Sequence, residues 1–115
     1  MIYIIGIGIN GKDDLSNKAL EIIKNSGMLF GGERHLSYFS DFKGERFVVK
    51  SNLKEVVAHV KESKDKKITV LASGDPNFYG IADYLIKNLG KGDIEIIPSI
   101  SSMQWAFAKI KESWH

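Results

Sequence analysis

The feature that most constrains the fold of this chain is the segment from Ile2 to Ile7, a nearly unbroken run of β-branched and aromatic residues followed by Gly8. Such a run is typical of a strand that is buried on both faces, as the central strands of parallel sheets are. Parallel neighbours must be joined by crossover connections, which are usually helices. The segment therefore predicts a chain in which strands and helices alternate.

The rest of the sequence follows that alternation. Four further apolar runs predict strands over Met28 to Phe30, Arg46 to Val49, Ile68 to Ala72 and Ile94 to Ile97. The first predicted helix begins at Asp13 and Asp14 and ends at Asn25 to Gly27, and a short helix with a loop is expected within Glu33 to Lys43. A third helix follows a cap at Ser51 or Asn52, and the residues on its apolar face are Leu53, Val56, Val57 and Val60. Two further helices are predicted over Asn77 to Leu89 and Ser101 to Lys111. We expect an α/β fold, in which a five-stranded parallel sheet carries helices on both faces and the crossovers are right-handed.

Size and composition exclude several classes of function. A length of 115 residues fits one domain, and 43% hydrophobic residues are enough for one core. The 16 basic and 14 acidic residues are scattered, which indicates a solvated surface and no nucleic-acid partner. The absence of cysteine excludes disulfides, thiolate nucleophiles and cysteine-ligated metals. The longest apolar stretch is about half a membrane span and has no basic leader, so we expect no membrane partner and a cytoplasmic location.

The turn after the first strand carries Gly6, Gly8 and Gly11, the glycine spacing of dinucleotide-binding folds. In those folds a phosphate binds at the bare N-terminus of the following helix. Here Asp13 and Asp14 are expected at that N-terminus, where they stabilise the helix and repel a phosphate. We interpret the turn as a loop that lets a ligand approach the backbone. A turn with glycines for geometry alone, and the dinucleotide-binding domain of an oxidoreductase, remain alternatives.

The turn after the fourth strand runs from Ser73 to Gly80. Asp75 as a helix cap followed by Pro76 is a common helix start, but it does not explain the small residues Ser73 and Gly74 or the aromatic Phe78. Small residues let a flat ligand approach the backbone, an aspartate accepts hydrogen bonds from hydroxyl or ammonium donors, and an aromatic residue packs a purine. A cofactor with ribose, adenine and an amino group fits this set.

The turn after the fifth strand reads Pro98-Ser99-Ile100-Ser101-Ser102. Ser101 and Ser102 either cap the last helix or offer hydroxyl and N–H groups to a ligand. The three histidines, His35, His59 and His115, are not at metal-ligand spacing, so no metal site is expected.

Taken in order, the three turns resemble the motifs of the tetrapyrrole methylases, the S-adenosylmethionine (SAM)-dependent methyltransferases that act on corrin and porphyrin precursors. The stretch from Gly31 to Leu36, Gly-Gly-Glu-Arg-His-Leu, is similar to the branch that methylates C5, the cobalt-precorrin-7 C5-methyltransferases and the matching domain of the precorrin-6Y C5,15-methyltransferases. Two departures are Ile9-Asn10, where the family has a proline-bearing sequence, and Ser99, where it often has glycine.

The resemblance implies that residues 1–115 form an N-terminal SAM-binding domain whose partner, a C-terminal domain, is absent from the chain. The implied cofactor contacts are Ile9, Ser73, Gly74, Asp75, Phe78, Ser101 and Ser102. It further implies C5 methylation of a precorrin or cobalt-precorrin in cobalamin biosynthesis, and a homodimeric full-length enzyme. A SAM-binding module without chemistry remains an alternative, and we expect the isolated chain to be inactive. The metal content of the substrate, and methylation at C5 alone or at C5 and C15, stay open.

The implied chemistry is attack of an electron-rich carbon of the macrocycle on the sulfonium methyl group, so alignment and desolvation provide most of the acceleration. Such a reaction needs no catalytic triad, and we assign no catalytic residue. Arg34 and His35 are expected to meet carboxylates on the rim of the macrocycle, because guanidinium pairs well with carboxylate. The alternative is a surface pair that opens a short helix.

Overall fold

A computed structural model of the chain describes residues 1–8, 10–50, 53–63, 65–73 and 77–99. In chain order the strands and helices are β1 (Ile2–Ile7), α1 (Asn17–Lys24), β2 (Met28–Gly31), α2 (Glu33–Ser37), β3 (Glu45–Val48), α3 (Leu53–Glu62), β4 (Ile68–Ser73), α4 (Asn77–Leu89) and β5 (Ile94–Ile97). Two short 3₁₀ turns, Gly11–Asp14 and Lys91–Asp93, precede α1 and β5 respectively. None of the helices within these ranges is long and apolar enough to cross a membrane.

The strands form a five-stranded sheet in the order β3-β2-β4-β1-β5, and every pairing is parallel. Ile2 of β1 lies opposite Ile68 of β4 on one side and Ile94 of β5 on the other. The apolar run at the start of the chain therefore forms an interior strand, with Ile4 and Ile5 fully buried on opposite faces. The predicted fold class is confirmed.

Helices cover both faces of the sheet. Ala19 and Ile23 of α1 and Leu36 of α2 join one apolar cluster, whereas Val56 of α3 and Leu85 of α4 join the other. The connections that contain α1 and α2 run toward the β3 edge, and those that contain α3 and α4 run toward the β5 edge. Because all five strands are parallel, right-handed crossovers on opposite faces of the sheet must run in opposite directions, as these connections do.

Most predicted boundaries agree with the structure within a residue or two. The limits of α4 and β5 are as predicted, β2 and β4 each extend by one residue, to Gly31 and Ser73, and β3 is shifted by one residue to Glu45–Val48. The expected caps at Ser51 and Asn52 and the expected helix from 101 to 111 lie outside the described residues.

The predicted start of the first helix is wrong. Asp13 and Asp14 belong to the separate 3₁₀ turn, Leu15 is extended, and α1 is capped by Ser16, whose Oγ accepts a hydrogen bond of 3.1 Å from the backbone N–H of Ala19. Both segments carry side chains that favour helix starts. Leu15, which immediately precedes Ser16, is buried in the core, and its burial favours a helix that begins after it with Ser16 as the cap.

Candidate functional site

The three turns predicted to hold a ligand leave the sheet from neighbouring strand ends. Ile7, the last residue of β1, is paired with Ser73, the last residue of β4. On the other side of β1, Ile5 is paired with Ile97, the last residue of β5. Because the strands are parallel, all three carboxyl ends lie on one edge of the sheet, which is where open α/β folds bind their ligands.

The strand order also predicts where crevices should lie at this edge. The chain leaves β4 toward the face that carries α3 and α4, whereas it leaves both neighbours, β1 and β2, toward the face that carries α1 and α2. Adjacent strands whose connections diverge leave an opening between them. We therefore expect one opening between the turns after β1 and β4, and another between the turns after β4 and β2.

The sequence-predicted cofactor residues fall largely outside the described part of the chain. Ile9, Gly74, Asp75, Ser101 and Ser102 are among the residues that the structure does not describe, and Phe78 is described only as part of the first turn of α4. Ser73 is described: it is half-buried at the end of β4, beside β1. The cofactor site as a whole therefore stays a prediction. The strand ends from which its turns leave are adjacent in the sheet.

The turn after β1 is tightly built. The N–H of Gly11 donates to the carbonyl of Gly8 at 3.1 Å, and Gly11 has a φ of +62°, a conformation that favours glycine. A Cβ atom on Gly11 would lie 3.0 Å from Cζ of Tyr38. The carboxylate of Asp14 accepts two hydrogen bonds from Asn10: one from the backbone N–H at 3.1 Å and one from the side-chain Nδ2 at 3.3 Å.

These contacts correct the interpretation of the acidic pair. Asp13 and Asp14 do not occupy the N-terminus of α1, so the expected repulsion of a phosphate by carboxylates placed at that helix end has no support in the structure. Asp14 is buried and holds the turn together instead. In dinucleotide-binding folds the last glycine of the pattern opens the helix. Here a 3₁₀ turn and the extended Leu15 separate Gly11 from α1, and this separation argues against a dinucleotide site.

The second crevice is bordered by the Gly-Gly-Glu-Arg-His-Leu stretch. A Cβ atom on Gly31, the last residue of β2, would lie 3.1 Å from Cβ of Leu71 and 3.6 Å from Cβ of His35. The carbonyl of Gly32 accepts the N–H of Leu36 at 2.9 Å, which closes the first turn of α2. Glycine at position 31 thus lets α2 pack directly on β2 and β4.

The structure brings Arg34 and His35 to this same edge. Arg34 is exposed in the first turn of α2, and His35 is half-buried beside Gly31. Arg46 was not singled out from the sequence; its guanidinium donates to the carbonyl of Leu36 and so supports the end of α2. No sequence signal identifies that bond, because its partner is a backbone carbonyl on another element.

Neither a metal site nor the groove beside α1 forms part of the candidate site in the described residues. No group of three or more histidine and carboxylate side chains within the described ranges could hold a metal ion. A groove of about 450 Å³ lies between α1 and the segment from Phe39 to Lys43, and Lys12 also lines it. Of its lining residues only Lys12 belongs to a turn at the carboxyl edge, so this groove is separate from the crevices.

Comparison with known proteins gives consistent matches. Residues 1–115 match the family Tetrapyrrole (Corrin/Porphyrin) Methylases. The chain is 39% identical over 109 residues to the cobalt-precorrin-7 C(5)-methyltransferase of Salmonella typhimurium, and this match covers 95% of the chain and 54% of that protein. The chain thus spans about half the length of this curated relative.

Solved structures with the same fold include two methyltransferases. The precorrin-6Y methylase of Archaeoglobus fulgidus is 27% identical, with a TM-score of 0.68 over 96% of this chain and 58% of that one. The uroporphyrin-III C-methyltransferase of Thermus thermophilus in complex with S-adenosylhomocysteine has a TM-score of 0.64 over 86% of this chain and 44% of that one. At 20% identity the second match shows the fold alone.

Proposed function

The chain belongs to the tetrapyrrole (corrin/porphyrin) methylase family, and from this we propose that it is the SAM-binding half of an enzyme that methylates C5 of a precorrin or cobalt-precorrin in cobalamin biosynthesis. The observation that carries the proposal is the match of nearly the whole chain to a cobalt-precorrin-7 C(5)-methyltransferase. The C5-type motif after β2 and the adjacency of the ends of β1, β4 and β5 support it.

The proposed SAM site lies in the crevice between the turns after β1 and β4. Its contacts would be made by Ile9, Ser73, Gly74, Asp75, Phe78, Ser101 and Ser102. The described residues fit such a ligand, because Gly8 has no side chain and Ser73 is small. The related structure from Thermus thermophilus holds S-adenosylhomocysteine, the product that SAM leaves after methyl transfer.

When bound, SAM supplies an electrophilic methyl group. That methyl group would pass from sulfur to an electron-rich carbon of the macrocycle, which would lose a proton, and S-adenosylhomocysteine would be released. The part of this chain is to hold the cofactor at the edge of the sheet and to exclude water on its side, because alignment and desolvation provide most of the rate.

The second half of the enzyme is also part of the proposal. The Salmonella relative is nearly twice as long as the matched segment. We infer that a C-terminal domain closes over the carboxyl edge and completes the trough for the macrocycle, so the 115 residues alone would not transfer a methyl group. A homodimeric assembly and a cytoplasmic location stay predictions from the sequence.

Arg34 is proposed to bind a carboxylate on the rim of the macrocycle. Replacement of Arg34 by glutamine in the full-length enzyme should raise the KM for the macrocycle about tenfold, because it removes one charge-assisted hydrogen bond of about 1.5 kcal/mol. Steady-state kinetics at saturating SAM measure this effect. The matched control is Lys61→Gln, which removes an exposed positive charge from α3 on the other face and should leave the KM within about twofold. An unchanged KM for Arg34→Gln would mean that Arg34 and His35 form only a surface pair.

Calorimetry tests the cofactor assignment and the dinucleotide alternative together. The full-length enzyme should bind S-adenosylhomocysteine in the micromolar range and bind NAD at least about 100-fold more weakly, because the turn after β1 does not lead directly into a helix. Tighter binding of NAD than of S-adenosylhomocysteine would overturn the proposal.

A further inference from the structure

We propose that Asp14 is a positioning residue for the cofactor: its buried carboxylate fixes the turn after β1 in the shape that receives SAM. The inference rests on the proposed function and adds a residue that touches neither cofactor nor substrate. The sequence predicts that Asp14 stabilises a helix end, but in the structure it is buried against the turn, with 8% of its surface exposed.

The hydrogen bonds of Asp14 are directed at the residue that follows the undescribed Ile9. The backbone N–H of Asn10 donates to Oδ2 of Asp14 at 3.1 Å, and Nδ2 of Asn10 donates to Oδ1 at 3.3 Å. Both carboxylate oxygens are thus used on Asn10. Hydrogen bonds to a charged and buried acceptor are stronger than those between neutral groups, so this pair restricts where the backbone of the turn can lie.

The turn held by Asp14 also rests on the segment after α2. Gly11 lies against the ring of Tyr38, and Nζ of Lys12 lies 5.1 Å from the centre of the Phe39 ring. Tyr38 and Phe39 follow the helix that carries Arg34 and His35. The turn at the cofactor crevice and the helix at the macrocycle crevice therefore form one packed unit, and Asp14 sets the shape of the turn within it.

The test is binding of S-adenosylhomocysteine to the full-length enzyme carrying Asp14→Asn. An asparagine keeps the size of the side chain but turns an N–H₂ group toward one of the two donors of Asn10, which breaks at least one hydrogen bond. We expect the Kd for S-adenosylhomocysteine and the KM for SAM to rise about tenfold, with kcat within about twofold of the wild-type value. The matched control is Asp13→Asn, which removes the same charge from an exposed position in the same turn and should change the Kd less than about twofold.

A merely structural role predicts a different outcome, namely a lower melting temperature and a lower kcat per mole of protein with an unchanged KM for SAM. If Asp14→Asn does not fold, Asn10→Ala carries the test, because it removes only the Nδ2 bond and should raise the Kd about threefold. Wild-type affinity in the folded variant overturns this inference alone. A wild-type enzyme that does not bind S-adenosylhomocysteine overturns the proposed function, and this inference with it.

Discussion

Replacement of Gly74 by valine is expected to weaken the binding of S-adenosylhomocysteine to the full-length enzyme by at least about 100-fold. Gly74 follows Ser73, the last residue of β4, whose pairing with Ile7 puts the start of this turn beside the end of β1. A branched side chain in the crevice between these turns would occupy volume that the proposed site leaves to the cofactor. A loss of this size corresponds to about 2.7 kcal/mol of binding free energy, which is within the range for an imposed steric clash. Isothermal titration calorimetry measures it directly.

The matched control for this change is Gly92→Val. Gly92 lies in the 3₁₀ turn before β5, at the opposite edge of the sheet, and a Cβ atom there would meet no other atom within 4 Å. This variant should bind S-adenosylhomocysteine within about twofold of the wild-type protein. Equal losses of affinity in both variants, or wild-type affinity in Gly74→Val, would exclude Gly74 from the cofactor crevice.

A second large effect is expected on stability. Replacement of Gly44 by alanine should lower the free energy of unfolding by about 3 kcal/mol, the upper part of the usual range for overpacking. The added Cβ atom would fall on the carbonyl oxygen of Gly27 and lie 2.8 Å from Cζ of Phe42. That carbonyl accepts the N–H of Glu45 at 3.0 Å, so it cannot move away without disturbing the start of β3. Urea denaturation followed by circular dichroism measures the loss.

The control for Gly44→Ala is the same substitution at Gly27, which lies next to Gly44 in the folded chain. A Cβ atom on Gly27 would have its closest contacts with Lys66 and Lys67 at 3.7 Å, an ordinary van der Waals distance. Gly27→Ala should therefore change the free energy of unfolding by less than about 1 kcal/mol. If Gly44→Ala proves as harmless as Gly27→Ala, the close approach of Gly44 to the carbonyl of Gly27 is not a feature of the folded protein.

The sequence predicts the class of fold because the relevant signals are local. Asp75-Pro76 predicts the start of α4 and Pro98 predicts the end of β5, and the structure has α4 from Asn77 and β5 to Ile97. The start of α1 was not predictable in the same way, because Asp13, Asp14 and Ser16 are all plausible helix-capping residues. The choice among them depends on the burial of Leu15, a tertiary effect that local sequence does not contain.

The candidate site, like the fold, is only partly predictable from local sequence. The three turns are recognisable from their residues, but their adjacency depends on the strand order β3-β2-β4-β1-β5, which no spacing in the sequence specifies. The roles of Asp14 and Arg46 likewise depend on partners that only the folded chain identifies. The separation of four residues between Asn10 and Asp14 is only a weak sequence signal for their hydrogen bonds.

The most direct test of the central claim is methyl transfer from [methyl-¹³C]SAM to cobalt-precorrin-7, catalysed by the full-length enzyme and followed by ¹³C NMR of the macrocycle. We expect one new labelled resonance, from a methyl group bonded to C5, and one equivalent of S-adenosylhomocysteine. Label on a different carbon would contradict the C5 assignment, and an enzyme that binds SAM but transfers no label to any tetrapyrrole would contradict the proposed reaction.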